Sequence, residues 1–412
     1  MAVLLTFGAL LISGPMSSID PAECEFRLGD FLAARASLLV ILLGCYAAFL
    51  LAGLLTGNWL VGTNGHPVAT DFMGVWAAGR LALGGAAAAV FDWTAIRDLQ
   101  AATTGSPIDG YFSWQYPPSF LCVAALLALL PYTVAFLAWM GITGAAYLVV
   151  MRKIVREPAL VVAAIAFPAV LWNIGVGQTG MLTAALFGGG LVLLRDRPLV
   201  AGILFGLLTY KPQFGILIPV ALLCGGHWRT ITAAALTAIA TIGVSAAIFG
   251  TGPWVAFFHS LPAASQAMLV DGRVGLIKLQ SVFGVVRVLG GSPELAWAIQ
   301  GVLVVCLALA VGWLWLRPVG ADLKAAALAV AALLATPYVF IYDLVLLAVP
   351  MAFLVRAGLT RRDSLALAVA FVLVLAYPVL PVESGLAAVV IVAAVVAGRI
   401  IRPLAAVESA IV

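Results

Sequence analysis

The sequence predicts an all-α polytopic membrane protein, and three observations carry that expectation. Of the 412 residues, 64% are hydrophobic and only 9% are charged, against roughly a quarter charged in soluble domains. Mean hydropathy is +1.17, more apolar surface than a soluble fold of this length can hide. Long uncharged runs recur from end to end, as expected where each backbone polar group must be satisfied within its own helix. The formal net charge of +4 is small for the length. It reads as ordinary loop bias, with no nucleic-acid surface implied.

Taken in order, residues 1–32 form an N-terminal tail, 33–403 a single transmembrane domain, and 404–412 a C-terminal tail. Residues 1–20 hold a short apolar run without a basic leader region, which reads as a tail or an overextended start before it reads as a signal peptide. Cysteines 24, 45, 122, 224 and 306 are scattered, with no CxxC, so neither a disulfide framework nor a zinc site is suggested. The first convincing span is 33–56; Arg27 and Arg35 ahead of it place its start inside and its end outside.

Residues 57–115 then form a first external loop, the most polar part of the chain. It carries Asn64, His66, Asp71, Arg80, Asp92, Arg97, Asp98 and Asp109. Within it Phe72, Val75, Trp76 and Gly79 recur at helical spacing, which predicts a short helix over 71–83 lying along the membrane surface.

Apolar material fills 117–151, 159–194, 198–225, 230–250, 294–316, 325–355 and 364–401, giving roughly 10–13 helices. Basic clusters punctuate it at Arg152–Arg156, Arg195 and Arg197, Arg229, Arg317 and Lys324, Arg356–Arg362, and Arg399 and Arg402. Placing each cluster inside puts the turns at 173–178, 210–213, 251–292, 337–342 and 379–384 outside. Residues 117–151 must then cross an odd number of times, yet read as two short helices around Leu130-Pro131. Runs such as 159–172 and 199–209 are short for the ~20 residues of a full span. Short helices are tolerated where they line a cavity, so the external turns are expected to converge on one cut into the bilayer.

Four groups of residues could carry chemistry. Asp71 reads either as an N-cap of the 71–83 helix or as a general base that deprotonates a hydroxyl, and the two roles are compatible. The stretch YFSWQYPPSF (111–120) supplies Tyr111, Phe112, Trp114 and Tyr116, either an interfacial anchor or aromatic faces for a sugar. Three embedded polar turns follow: Asn173 to Gln178, Tyr210-Lys211-Pro212-Gln213, and Tyr338 to Tyr342-Asp343. Polar groups at such positions are costly and so are functional candidates; Lys211 between apolar helices calls for an anion, unless it snorkels to the interface. Finally, the later external loop 251–292 carries His259, Asp271, Arg273, Lys278, Gln280, Ser281 and Arg287. Its amphipathic GLIKLQSVFGVVRVLGG offers donors to a lipid phosphate, or simply a solvated face near head groups. There is no HExxH, P-loop, dinucleotide fingerprint or Gly-x-Ser-x-Gly, so ATP hydrolysis and nicotinamide chemistry lack support.

The order of these pieces resembles glycosyltransferase family 87, polyprenyl-phosphate-dependent mannosyltransferases of the GT-C superfamily. The resemblance rests on Asp71-Phe72 with Ala77-Ala78 and Leu83-Gly84-Gly85, Tyr116-Pro117-Pro118, Gly177-Gln178, and Ala201-Gly202 with Lys211-Pro212. It continues through Gln280-Ser281 and Thr336-Pro337-Tyr338 with Tyr342-Asp343. Leu279 stands where the family often has Asn before Gln-Ser. The resemblance implies a GT-C fold, a polyprenyl-phosphate-linked sugar as donor and a lipid or glycan as acceptor. It also implies inversion and transfer at the outer face of a bacterial plasma membrane, with no cofactor or metal. Asp71 matches the family's catalytic aspartate. Trp114, Tyr116, Gln178, Lys211, His259, Arg273, Lys278, Gln280, Ser281, Tyr338, Tyr342 and Asp343 are the expected substrate-binding residues. Two other classes fit the composition: a lipid-linked sugar flippase or secondary transporter, and a non-catalytic partner in envelope assembly.

Overall fold

The computed structural model describes residues 36–108, 110, 112–380 and 383–409. The tail 1–32 with its Arg27, and also Arg35, Asp109, Tyr111 and the tip of the 379–384 turn, lie outside the described residues. Among the described residues the protein is all-helical, with only isolated bridges pairing Trp59 with Val61 and Val61 with Pro67.

Helix α1 (Ala36–Leu55) is an apolar span whose Leu39 and Leu42 pack on Ala166. The loop after it is fastened by Trp59, whose indole N–H donates to Gly175 O at 2.8 Å. Next come α2 (Asp71–Leu83) and α3 (Trp93–Thr104), separated by a 3-10 turn at 87–91. The α3 N-terminus is capped by Asp92, which accepts from Thr94 N at 2.8 Å. The chain then enters α4 (Leu121–Ala128) and, after Pro131, α5 (Tyr132–Ile154). Residues 118–128 rise only about 16 Å, whereas the 23 residues of α5 cover about 35 Å, enough to cross alone.

Helices α6 (Pro158–Ile165) and α7 (Pro168–Val176) form a pair bent by 46°, the break falling where Pro168 opens the second helix. Short helices α8 (Gly180–Leu193), α9 (Pro198–Leu207), α10 (Pro212–Gly215) and α11 (Ile218–Cys224) follow, then the long span α12 (Trp228–Phe249). Between bilayer-facing helices the hydrophobic effect gives little, so close backbone packing must hold them. Gly202 and Gly206, a G-xxx-G pair on α9, supply it. A Cβ on Gly202 would sit 2.5 Å from Thr230 O, and one on Gly206 2.6 Å from Ala234 O, both on α12.

The segment expected as a loop over 251–292 contains α13 (Gly252–Ser265) and α14 (Val282–Val288), joined by a π turn at 266–270 and a 3-10 turn at 276–278. Then come α15 (Pro293–Leu316), α16 (Ala321–Ala335), a buried 3-10 segment at 341–347, α17 (Ala348–Arg356), α18 (Arg361–Leu375) and α19 (Ser384–Ser409). Five helices (α1, α5, α12, α15, α19) are long and apolar enough to cross a membrane, six with the bent pair counted as one span. Shorter apolar helices cover 118–128, 180–193, 198–210 and 212–224. By helix length and hydropathy this is a multi-pass membrane protein.

The helix over 71–83 has the expected bounds but not the expected setting. Phe72, Met73, Gly74, Val75, Ala77, Ala78, Gly79 and Ala82 are buried, and only Arg80 and Leu83 are exposed. It is packed against α3, α4, α5 and the 87–91 turn. Its small residues allow that: they let neighbours close on every side.

Candidate active site

The ends of the short helices meet at one cavity of about 670 Å³. Asp71, Trp114, Tyr116, Gln178, Lys211, Lys278, Tyr338, Tyr342 and Asp343 line it, nine of the thirteen expected site residues. Residues from the first loop thus face residues more than 200 positions later. This is the convergence expected of the embedded turns.

Asp71 is the first residue of α2 and not its N-cap. Thr70 holds the cap position, with extended dihedrals, and no side-chain cap bond forms. The carboxylate turns into the cavity instead, and its Oδ2 accepts from Gln178 Nε2 at 3.0 Å. Gln178 is in turn oriented by Tyr116, whose O–H donates to Gln178 Oε1 at 2.9 Å, and by Thr179 N–H at 3.2 Å. Gln178 takes this position because α7 ends on Gly177 in the left-handed region (φ 72°). A side chain there would also meet Phe136 and Phe72 Cβ at 2.5–2.6 Å. Asp71 Oδ1 accepts no hydrogen bond from the described residues. One oxygen is held and the other faces the cavity.

Burial raises the Asp71 carboxyl above its ordinary value of 3.8, while the Gln178 hydrogen bond and the charges of Lys278 and Lys211 pull it back. Burial also pushes the Tyr116 phenol far above its usual range, so it remains a donor. An aromatic wall stands beside this chain of bonds: Trp114 and Phe120 flank Tyr116 at 5.1 and 4.9 Å, and Phe120 stacks on Tyr210 at 4.9 Å.

Lys211 does find its anion, but within the protein. Its ammonium donates to Asp343 Oδ1 at 2.7 Å, with both side chains buried. It also lies over the rings of Tyr342 and Phe214 at 5.5 and 5.8 Å. The second Asp343 oxygen accepts from Phe340 N at 3.1 Å, so that carboxylate is fully engaged. Lys278 differs. It is exposed at the cavity edge, and its ammonium forms no hydrogen bond or ion pair with the described residues.

Four expected residues do not line the cavity. Gln280 and Ser281 are buried and act as rivets. Gln280 N donates to Val339 O at 2.7 Å, its Oε1 accepts from Gly385 N at 2.8 Å, and Ser281 O–H donates to Pro337 O at 2.8 Å. His259 is exposed on α13, and Arg273 pairs on the surface with Asp271 at 3.8 Å. Other lining residues were not singled out from the sequence: Phe257, Leu261 and Met268 from the α13 region, and Trp172 with Tyr377, whose rings meet edge-on at 5.5 Å. Proline at the start of α13 (Pro253) and aromatic residues at i and i+3 were the available signals for that helix.

A second, apolar groove of about 810 Å³ runs between α4, α8, α9 and α12 and shares Tyr210 with the polar cavity. Its outer lips, Leu199, Ile203, Leu236 and Val244, are exposed on the flank of a candidate span. Among the described residues no three His, Cys, Asp or Glu side chains are grouped to hold a metal.

The profile of glycosyltransferase family 87 matches residues 114–337, more than half of the chain. The chain is a member of glycosyltransferase family 87. The matched stretch of this family 87 protein includes Tyr116, Gln178, Lys211 and Lys278, while Asp71 and Asp343 lie on either side of it. No curated protein and no solved structure matches the chain. Of the functional classes the sequence left open, membership selects the transferase. As a membrane glycosyltransferase it binds a sugar donor and an acceptor.

Proposed function

We propose that this glycosyltransferase transfers a sugar, mannose by the resemblance, from a polyprenyl-phosphate donor to a hydroxyl of a lipid or glycan, inverting the anomeric centre. Asp71 is the general base. The reading is carried by one observation: a buried carboxylate with one oxygen fixed by Gln178 and the other facing a cavity that also holds Lys278 and aromatic walls. The acceptor hydroxyl gives its proton to Asp71 Oδ1 as its oxygen attacks the anomeric carbon. The bond from that carbon to the phosphate oxygen breaks, and polyprenyl phosphate leaves with the electron pair. Phosphate is already a good leaving group, so orientation, one base and stabilisation of the leaving charge suffice. A single displacement with one base inverts the centre, by the logic that applies to glycoside hydrolysis.

Lys278 is the cation placed to meet the leaving phosphate, since Lys211 is already neutralised by Asp343. The apolar groove, which shares Tyr210 with the cavity as a lining residue, suits the isoprenoid chain. Residues 33–403 act as one catalytic unit, with the cavity on the outer side of a bacterial plasma membrane, as the basic-cluster assignment places it. The test follows labelled mannose from polyprenyl phosphate mannose into extractable lipids and glycans, in membranes carrying wild type or Asp71→Asn. Label in product with wild type and none with Asp71→Asn supports donor and base together. Equal transfer by both removes Asp71 from the role of base, and no transfer by wild type removes the donor.

A further inference from the structure

Of the embedded polar turn at 173–178, the proposed transfer uses only Gln178. Asn173 is left over, fully buried in the last turn of α7. A buried amide is costly unless its groups are paired, and the pairing here is specific. Three backbone N–H groups converge on this one residue. The Asn173 carbonyl accepts from Gly177 N at 2.9 Å and from Gln178 N at 3.0 Å, as where a helix closes on a left-handed glycine. The side chain reaches further: Asn173 Oδ1 accepts from Gly180 N at 2.6 Å. Gly180 is the first residue of α8, and Thr179 before it makes no side-chain cap bond. Asn173 thus caps α8 from seven residues upstream and closes the turn 173–180 with Gln178 inside it.

The orientation of the amide is decided by its neighbours. An N–H can only donate, so the oxygen must face Gly180, and Nδ2 is left 3.8 Å from the Met140 sulfur, a weak acceptor. The turn is also tightly packed. A Cβ on Gly180 would sit 2.1 Å from the backbone oxygen of Tyr342, the residue before Asp343. Gln178 leaves this turn with its Nε2 on Asp71 Oδ2 at 3.0 Å. A shift of about 1 Å in the turn stretches that bond beyond hydrogen-bond range.

We infer that Asn173 is a positioning residue for the transfer: by closing the 173–180 turn it holds the Gln178 amide on Asp71 Oδ2, and so keeps the other oxygen of the base free for the acceptor hydroxyl. The inference rests on the reading of Asp71 as the base. Asn173 does not itself line the cavity and acts through Gln178.

The test is a pH–rate profile of transfer from polyprenyl phosphate mannose by the full-length protein, with Asn173→Ala, Gln178→Leu and the double variant. The Gln178 bond favours the charged carboxylate, so its loss moves the acid limb to higher pH. Asn173→Ala should move the limb the same way and lower kcat by up to about 10²-fold, the cost of a group misplaced by about 1 Å, with the donor KM little changed. The double variant should move the limb no further than Gln178→Leu alone. A merely structural asparagine would cost stability and leave the limb of the folded protein where it is. Asn173→Ala strands the Gly180 N–H, so Asn173→Ser, too short to reach it but able to admit a water, carries the test should the alanine variant fail to fold. An unmoved limb in the folded Asn173 variants, while Gln178→Leu moves it, overturns the proposal and leaves Asp71 as the base. Shifts that add in the double variant overturn it too, since Asn173 then acts by another route. If Gln178→Leu itself leaves the limb in place the proposal falls, and Asp71→Asn decides the base separately: lost activity keeps that reading, and retained activity removes it.

Discussion

Replacing Asp343 by Asn leaves the Lys211 ammonium buried with no counter-charge, and the consequence can be worked from the geometry. At 2.7 Å and an effective dielectric near 20, the pair attracts by about 6 kcal/mol. Taking the two charges out of water costs several kcal/mol per ion, so the intact pair is near balance against an apolar one. Removing one partner leaves the desolvation cost uncompensated, a loss of about 3–5 kcal/mol. For Asp343→Asn the Tyr342 and Phe214 rings over the ammonium put the expectation at the lower end. For Lys211→Met the carboxylate keeps only the Phe340 N–H. The double variant Lys211→Met/Asp343→Leu should lose less stability than either single one. Reversible SDS unfolding in mixed micelles, followed by tryptophan fluorescence, measures all three. If each single variant costs less than about 1 kcal/mol, or the double loss equals the sum of the singles, the pair is not the buried, mutually dependent unit described.

Further expectations follow from the same site. As a base, Asp71 must be ionised, so activity should fall as pH drops through its raised pKa, with an acid limb above the ordinary 3.8; Gln178→Leu, which removes a bond that lowers that pKa, should move the limb upward in a pH–rate profile. A limb unmoved by Gln178→Leu would falsify the link. Stability runs the other way, because a carboxyl with a raised folded pKa favours folding when protonated and loses that contribution as pH rises through the pKa. Asp71→Asn should therefore unfold no more readily than wild type at neutral pH while losing activity by about 10²–10⁴-fold, the range for a general base. Gly177→Ala should destabilise by more than about 1 kcal/mol, from positive φ and the Phe136 and Phe72 contacts, read by the same SDS titration. Lys278→Gln should raise KM for the lipid-linked donor more than Lys278→Arg does, measured in initial-rate assays; equal KM values would leave the phosphate to another group.

Much of this was legible locally. The bounds of the 71–83 helix followed from its spacing, and the short helices from the length of their apolar runs. The polar turns at 173–178, 210–213 and 337–343 were expensive enough in an apolar chain to mark themselves. What stayed hidden was pairing at long range. Lys211 advertised a need for an anion, but Asp343, 132 residues later, could not be distinguished from a substrate phosphate without the fold. Gln280 and Ser281 read as ligands because they are polar in a late loop, yet their bonds go to Val339, Gly385 and Pro337, whose backbone groups carry no sequence signal. The enclosure of the 71–83 helix escaped for a related reason: alanine and glycine have no face of their own, and only their neighbours decide whether they are covered. The odd crossing of 117–151 needed the observation that Pro131 separates a stub from a full span.

The stubs have a consequence for the surrounding lipid. Helices such as α9, ten residues or about 15 Å long, fall well short of a hydrocarbon layer near 30 Å, and a leaflet beside them must thin or tilt to meet them. Leu199 and Ile203, exposed lips of the apolar groove, lie on α9 itself. A lipid-borne molecule drawn there approaches by lateral diffusion and never leaves the membrane. Its encounter rate is then set by its mole fraction in the bilayer and by bilayer thickness. Turnover measured in reconstituted vesicles should track acyl-chain length even when bulk substrate is held constant.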